Sequence, residues 1–276
     1  MIVIESGGTK STWAYMDQKS ASAKFIETVG LHPREINSGK KQELKEFLKL
    51  NKHLSTYCEV YFYGAGCEKT KGKDTIKKLF SSFGFKNVHV DTDLKGACFA
   101  LLGNQPGFIG ILGTGAVAAQ FDGKQIIRQT SGLGFIIGDE GSGFDIGKRL
   151  LNAYFNDELT QTVNEDIERY FLPETDIIHR IYKPDGRKVI ASLTHIVKKY
   201  AHEKEVSNIL DSAFESYYNT ALKKMPNISE IGFVGSVAFH FKDELKNTLS
   251  KHNITIKNVF QSAIQPLFQY HFQKAV

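Results

Sequence analysis

Cysteine is scarce in this sequence. The three thiols, Cys58, Cys67 and Cys98, are odd in number and include no Cys-x-x-Cys pair. That excludes a disulfide framework, a zinc ribbon and a cysteine-rich iron–sulfur site, and leaves reduced thiols, buried or half-buried, as the plain reading. Long apolar runs are missing as well: none reaches the length that spans a bilayer. The start lacks a signal-peptide layout, because Met1–Ile4 reads as a short buried strand with glycines close behind it. The expected location is the cytoplasm, with no membrane partner. Charge of one sign is not concentrated either. Net charge is +5, but runs such as Lys198-Lys199 and Glu203-Lys204-Glu205 read as solvated helix faces. No basic stripe with interleaved aromatics appears, so nucleic acid is excluded as a partner, while a modest positive field suits an anionic nucleotide.

What is present is a chain of 276 residues, 41% apolar and 24% charged, an ordinary globular balance with room for two domains. Met1–Ile4, Ser11–Met16 and Lys24–Val29 read as strands, the last two as a hairpin about Asp17-Gln18-Lys19-Ser20. Helices are expected over Lys40–Lys52, Thr75–Phe83 and Leu94–Leu102, and strands over Val60–Tyr63 and Val88–Val90. After the break at 103–107 the pattern restarts: strand Phe108–Leu112, glycine turn, strand Ala116–Phe121, turn Asp122-Gly123, strand Gln125–Gln129. Gly7 to Asp17 and Gly113 to Asp122 are nearly equal spacings, which implies a duplicated lobe. The remainder is mostly helical, over Phe144–Phe155, Ile190–Ala201, Glu205–Lys224 and from Gly235 to Leu249. Strands are expected at Glu230–Val234 and Ile254–Phe260, and Pro266 sits near the start of a last helix.

Five segments carry chemistry. In Glu5-Ser6-Gly7-Gly8-Thr9-Lys10-Ser11, glycine lets backbone approach a phosphate, whose oxygens the amides, the hydroxyls and Lys10 can surround. Glu5, at the strand end, suits Mg²⁺ held through water; the plain alternative is a glycine-rich hairpin. Gly113-Thr114-Gly115 stands at the equivalent place in the second half. Gly235-Ser236 forms a strand–glycine–helix junction, which presents free amides to an anion or is simply a tight turn. Asp93 either caps a helix or takes a proton from an attacking hydroxyl, with Asp91 as competitor for that role. Gly138-Asp139-Glu140-Gly141-Ser142-Gly143 packs two acids between glycines, a pattern suited to accepting hydrogen bonds from sugar hydroxyls. His195 and His202 have no carboxylate to complete a metal set.

Taken in chain order, as Glu5–Ser11, Asp93, Gly113–Gly115, Gly138–Gly143 and Gly235-Ser236, these segments resemble the N-acetylglucosamine kinase family, among the BadF/BadG/BcrA/BcrD-type ATPases of the actin and sugar-kinase superfamily. Tyr61–Cys67 and Gly235–His240 add to the resemblance, which covers essentially the whole chain. It implies an α/β fold of two actin-like, ribonuclease H-like lobes with an interlobe cleft. The first lobe would be 1–107, joined by a C-terminal helix near 264–276, and the second 108–263. It also implies ATP, Mg²⁺ and γ-phosphoryl transfer to a sugar 6-hydroxyl. Ser6–Ser11 and Gly113–Gly115 would be the phosphate loops, Gly235-Ser236 part of the adenosine motif, Asp93 the base, and Gly138, Asp139 and Glu140 the sugar loop. The sequence departs from that pattern where Glu5 replaces Asp, where His32 replaces Asn, and where Ala116-Val117-Ala118 replaces Ser-Asn-Ser. Two polar sugar contacts are thereby changed together, so the expected acceptor is N-acetylglucosamine or a related amino sugar. A homodimer is compatible with this reading. Two other classes share the motifs: an ATP-binding sensor without turnover, and an ATPase activator, which would need cluster-binding cysteines.

Overall fold

A computed structural model describes every residue except 8–9, 18–21, 55–58, 175 and 276, with only the backbone of 275. Gly8, Thr9, Cys58 and the expected turn at 18–20 therefore lie outside the described residues. Contacts divide the chain into two compact units, Met1–Asn104 with Ser262–Val276, and Gln105–Gln261.

The first unit opens with strands β1 (Ile2–Ser6), β2 (Lys10–Asp17) and β3 (Ser22–Val29). Then follow α1 (Ser38–Leu50), β4 (Val60–Gly64), α2 (Thr70–Ser82), β5 (Val88–Asp91) and α3 (Asp93–Leu102). The strands form one sheet in the order β3-β2-β1-β4-β5. β1 is antiparallel to β2 and β2 to β3, whereas β1, β4 and β5 run parallel. Strand geometry sends alternate side chains to opposite faces. Ile2 and Ile4 join Trp13, Phe62 and Phe80 on one side, and Val3 faces Ile264, Leu267 and Phe268 on the other. A strand covered on both faces has to be apolar throughout, which is why β1 reads as an unbroken apolar run.

The second unit repeats this plan. Its elements are β6 (Gly107–Leu112), β7 (Ala116–Phe121), β8 (Ile126–Ser131), α4 (Gly143–Phe155), α5 (Gln161–Phe171) and α6 (Ile177–Ile181). Next come α7 (Gly186–Ser192), α8 (Thr194–Lys199), α9 (Lys204–Thr220) and β9 (Glu230–Val234). α10 (Ser236–His240), α11 (Lys242–Ser250) and β10 (Thr255–Phe260) complete it. The sheet order is β8-β7-β6-β9-β10, again three antiparallel strands followed by two parallel ones. The chain ends with α12 (Ile264–Ala275), which belongs to the first unit.

Three expected elements differ. The helix foreseen over Ile190–Ala201 is two, because Ser192 and Thr194 donate side-chain hydrogen bonds back to Val189 and Ala191 carbonyls beside the break at Leu193. The helix foreseen from Gly235 to Leu249 breaks at Phe241, whose ring is buried in the core. α2 begins at Thr70, five residues earlier than expected, and Gly72 lets it approach the turn after β4: a Cβ there would lie 2.2 Å from the Gly66 carbonyl.

Candidate active site

In an open sheet the carboxyl ends of parallel strands share one edge, and ligand-binding loops gather there. At that edge of the first unit lie Glu5 and Ser6 at the end of β1, Gly64–Gly66 at the end of β4 and just beyond it, and Asp91–Asp93 at the end of β5 and just beyond it. The two aspartates are not equivalent. Asp91 Oδ1 accepts from Lys73 Nζ at 2.9 Å and from the Thr92 amide at 2.9 Å. Asp93 has no cationic partner among the described residues, and its Oδ1 accepts from the Leu94 amide at 2.8 Å. Burial, helped by the Glu68 and Glu5 carboxylates, pushes Asp93 up to about 6. Asp93 is not the helix cap: the Thr92 hydroxyl takes that place, accepting from the Lys95 amide at 3.0 Å. Asp93 is thus left without the structural task that its position suggested.

The first glycine turn departs from expectation in three ways. Ser6 and Ser11 are buried. Their hydroxyls bond to one another at 2.7 Å, and Ser6 Oγ also accepts from the Leu31 amide. The Gly7 amide donates to the Lys10 carbonyl at 3.0 Å and closes the hairpin. Lys10 Nζ pairs with Glu27 across the strands at 2.5 Å, so its charge is drawn away from the turn. Glu5 accepts from Ser262 Oγ at 2.6 Å through one carboxylate oxygen. His32 accepts from the Arg34 amide through Nδ1, and its ring packs where a Cβ on Gly66 would stand, 2.6 Å from Nε2.

In the second unit the same edge holds Gly113–Gly115 after β6 and Gly235 after β9. Gly113 donates to the Gly115 carbonyl at 3.0 Å and accepts from the Gly143 amide at 2.8 Å. Among the described residues the amides of Thr114 and Gly115 have no acceptor, so they remain available to an anion. At this junction the Gly235 N–H donates to the Phe260 carbonyl at 2.9 Å, while the amides of Ser236 and Val237 have no acceptor among the described residues. The conformation of Gly235 is the requirement: φ is 128°, and a Cβ would lie 2.1 Å from the Leu112 carbonyl. Ser236 is exposed at the start of the five-residue α10.

The acidic loop is folded onto these turns. Asp139 is buried with φ 62°. Its Oδ1 accepts from the Ala116 amide at 3.3 Å, and its Oδ2 lies 3.5 Å from Arg187 Nη2. Burial raises its pKa, while the Ala116 amide and Arg187 pull it back. Asp139 therefore fastens the start of β7 as well as presenting an acid. Glu140 is half-buried and has no hydrogen-bond partner among the described residues. The amide of Gly141 donates to Asp145 Oδ2 at 3.0 Å. Asp145 is gripped by Arg149 at 3.0 Å, and Arg149 donates to Ser212 and Ser216 of α9. Sequence reasoning missed Asp145, Arg149, Arg187 and Lys73. The Asp145–Arg149 spacing of four residues on a helix is a readable ion-pair signal; Lys73 and Arg187 pair across the fold and leave none.

Cys67 and Cys98 are buried free thiols, each pushed up to about 12 by desolvation. Neither has the thiolate character of a cluster ligand. No group of three or more His, Cys, Asp or Glu suited to a metal occurs among the described residues. No helix among them is long and apolar enough to cross a membrane.

Structural comparison places the two five-stranded sheets. A structure assigned as an N-acetylglucosamine kinase from Porphyromonas gingivalis matches 100% of both chains at a TM-score of 0.89 and 28% identity. Another from Chromobacterium violaceum covers 98% of this chain and 97% of its own, at 0.75 and 17%. A ROK family glucokinase from Streptomyces griseus, in complex with glucose and AMPPNP, shares the fold at 0.58 and 13%, over 99% and 98% of the chains. The duplicated sheets and their glycine turns are those of a sugar kinase of the actin-like ATPase fold, a phosphotransferase with an alcohol acceptor. No family model matches the chain. An N-acetylmuramic acid/N-acetylglucosamine kinase of Clostridium acetobutylicum is 30% identical over 214 residues, 71% of this chain and 69% of the relative. The chain belongs to that kinase family.

Proposed function

We propose that the protein transfers the γ-phosphoryl group of ATP, with Mg²⁺, to the 6-hydroxyl of N-acetylglucosamine or a related N-acyl amino sugar. The observation that carries this reading is Asp93. Of two aspartates at the strand ends, it alone lacks a cation, and its pKa of about 6 leaves it ionised yet basic near neutrality. As the base it accepts the proton of the sugar hydroxyl while that oxygen bonds to the γ-phosphorus. The bond from phosphorus to the bridging oxygen of ADP breaks in the same displacement. The unpartnered amides of Thr114 and Gly115 supply hydrogen bonds to phosphate oxygens. The exposed Ser236 borders the nucleotide, and Gly235 shapes its loop. For acceptor binding we assign Gly138, Asp139 and Glu140 in the second unit and His32 in the first.

Glu5 fits a magnesium role: one carboxylate oxygen is tied to Ser262, and the other remains for a metal-bound water. Bound there, the ion would neutralise charge on the nucleotide phosphates. Phosphorus–proton NMR of the product made from N-acetylglucosamine and ATP tests the assignment. Coupling of the phosphate to the two C6 protons supports it; coupling to the anomeric proton contradicts it.

A further inference from the structure

The catalytic reading uses the acidic loop but not the residues that hold it. Gly141 stands at φ 75°, and a Cβ there would lie 2.8 Å from Tyr217 Cβ and 3.3 Å from the Ala213 carbonyl. At this point the loop backbone is therefore pressed against α9. The Gly141 amide donates to Asp145 Oδ2 at 3.0 Å, and the same oxygen accepts from Arg149 Nε at 3.0 Å. The Asp145 side chain is buried, and Lys148 comes no closer than 3.7 Å to its other oxygen. Arg149 makes its further bonds to α9: Nη1 donates to Ser212 Oγ at 2.7 Å and Nη2 to Ser216 Oγ at 3.1 Å. These serines are about one helical turn apart, and each directly precedes a residue that Gly141 packs against, Ala213 and Tyr217. One guanidinium thus fixes both the acceptor of the Gly141 amide and the helix on which Gly141 rests.

A buried ion pair adds little net stability, since desolvation offsets much of its attraction. What this pair supplies is geometry. A planar guanidinium meets three acceptors on two helices in one fixed fork, which an ammonium cannot do. We propose that Arg149 is a positioning residue for the acceptor: through Asp145 it sets the Gly141 amide, and with it the direction in which Asp139 and Glu140 meet the sugar. The proposal rests on the reading that the Asp139 loop binds the acceptor.

The test compares Arg149→Met and Arg149→Lys with the wild type. It reads kcat and KM for N-acetylglucosamine, the calorimetric Kd for ATP, the Tm, and amide hydrogen exchange in the loop 139–145. Arg149→Met should lower kcat/KM for the sugar about 10–100-fold, chiefly through KM, with the Kd for ATP unchanged. The loop amides should exchange faster in the same variant. Arg149→Lys keeps a charge beside Asp145 but not both serine bonds, and should recover part of the loss. An undiminished kcat/KM, unchanged loop exchange, or equal losses for sugar and ATP with a lower Tm would each overturn the proposal and leave the pair as a brace between α4 and α9. If the wild type turns over no sugar, the kinase reading fails instead, and loop exchange in Arg149→Met decides whether Arg149 sets the loop.

Discussion

Asp93 is costly to the fold, and as the proposed base it would serve the reaction for the same reason. Burial raises its folded-state pKa from 3.8 to about 6, so the folded chain holds this proton more tightly than the unfolded chain. Its contribution to stability is therefore most favourable below the unfolded value and is lost as pH rises through 6. Asp93→Asn should raise stability at pH 8 by about 1–3 kcal/mol, read by urea unfolding, while lowering kcat about 10²–10⁴-fold. In the wild type, kcat/KM should fall on acidification with a half-point near 6, and no such limb should survive in the residual activity of the variant. A flat profile would remove Asp93 from the role of base. At this scale the sequence marks candidate residues but not the bonds they make. Asp91 and Asp93 look alike in sequence. Lys73 separates them, eighteen residues before Asp91 and on another element. Ser6, Ser11 and Lys10 read as phosphate ligands in the sequence, and their bonds to one another, to Leu31 and to Glu27 are not legible there.

Among the elements, strands were legible and helix limits less so. Short apolar runs followed by glycine turns mark β1, β6 and β9, whose central residues are buried. Helix starts depend on caps, and Asn37, Thr92 and Ser142 serve α1, α3 and α4 by single side-chain bonds that periodicity does not register. The junction between β9 and α10 gives a sharp prediction. Gly235→Ala adds a Cβ 2.1 Å from the Leu112 carbonyl at φ 128°, and should destabilise the protein by about 3 kcal/mol in thermal unfolding; a change within experimental error would contradict the geometry. α12 gives another. Its buried His271 meets the Tyr63 hydroxyl through Nε2 at 2.8 Å and stacks on Tyr61 at 3.9 Å. Desolvation, with Lys274 and His89 nearby, lowers its pKa to about 4. The sign is that of a histidine buried neutral: its contribution is full above 6.5 and is lost as pH falls toward 4. The protection factors of the α12 amides, which correct for the slower intrinsic exchange in acid, should fall over that window, and less so in His271→Gln, whose side chain carries no titrating proton.

Over the whole molecule, duplication is the feature that made the fold readable. Two stretches with a strand, a glycine turn and a strand at nearly equal spacing predict two like sheets, and the sheets have the same order and the same parallel and antiparallel pairing. The family was legible for a related reason, since its short motifs recur in a fixed order along the chain. The acceptor was not, because it depends on contacts such as Asp139 with Ala116 and Arg187, which join residues 23 and 48 positions apart. The most direct measurement is ADP release from ATP and Mg²⁺, in wild type and Asp93→Asn, against N-acetylglucosamine, N-acetylmuramic acid, N-acetylmannosamine, glucosamine and glucose. The account predicts release that depends on an N-acyl amino sugar and is lost in the variant. Release at the same rate with and without every sugar, or sugar-dependent release undiminished in Asp93→Asn, would contradict it.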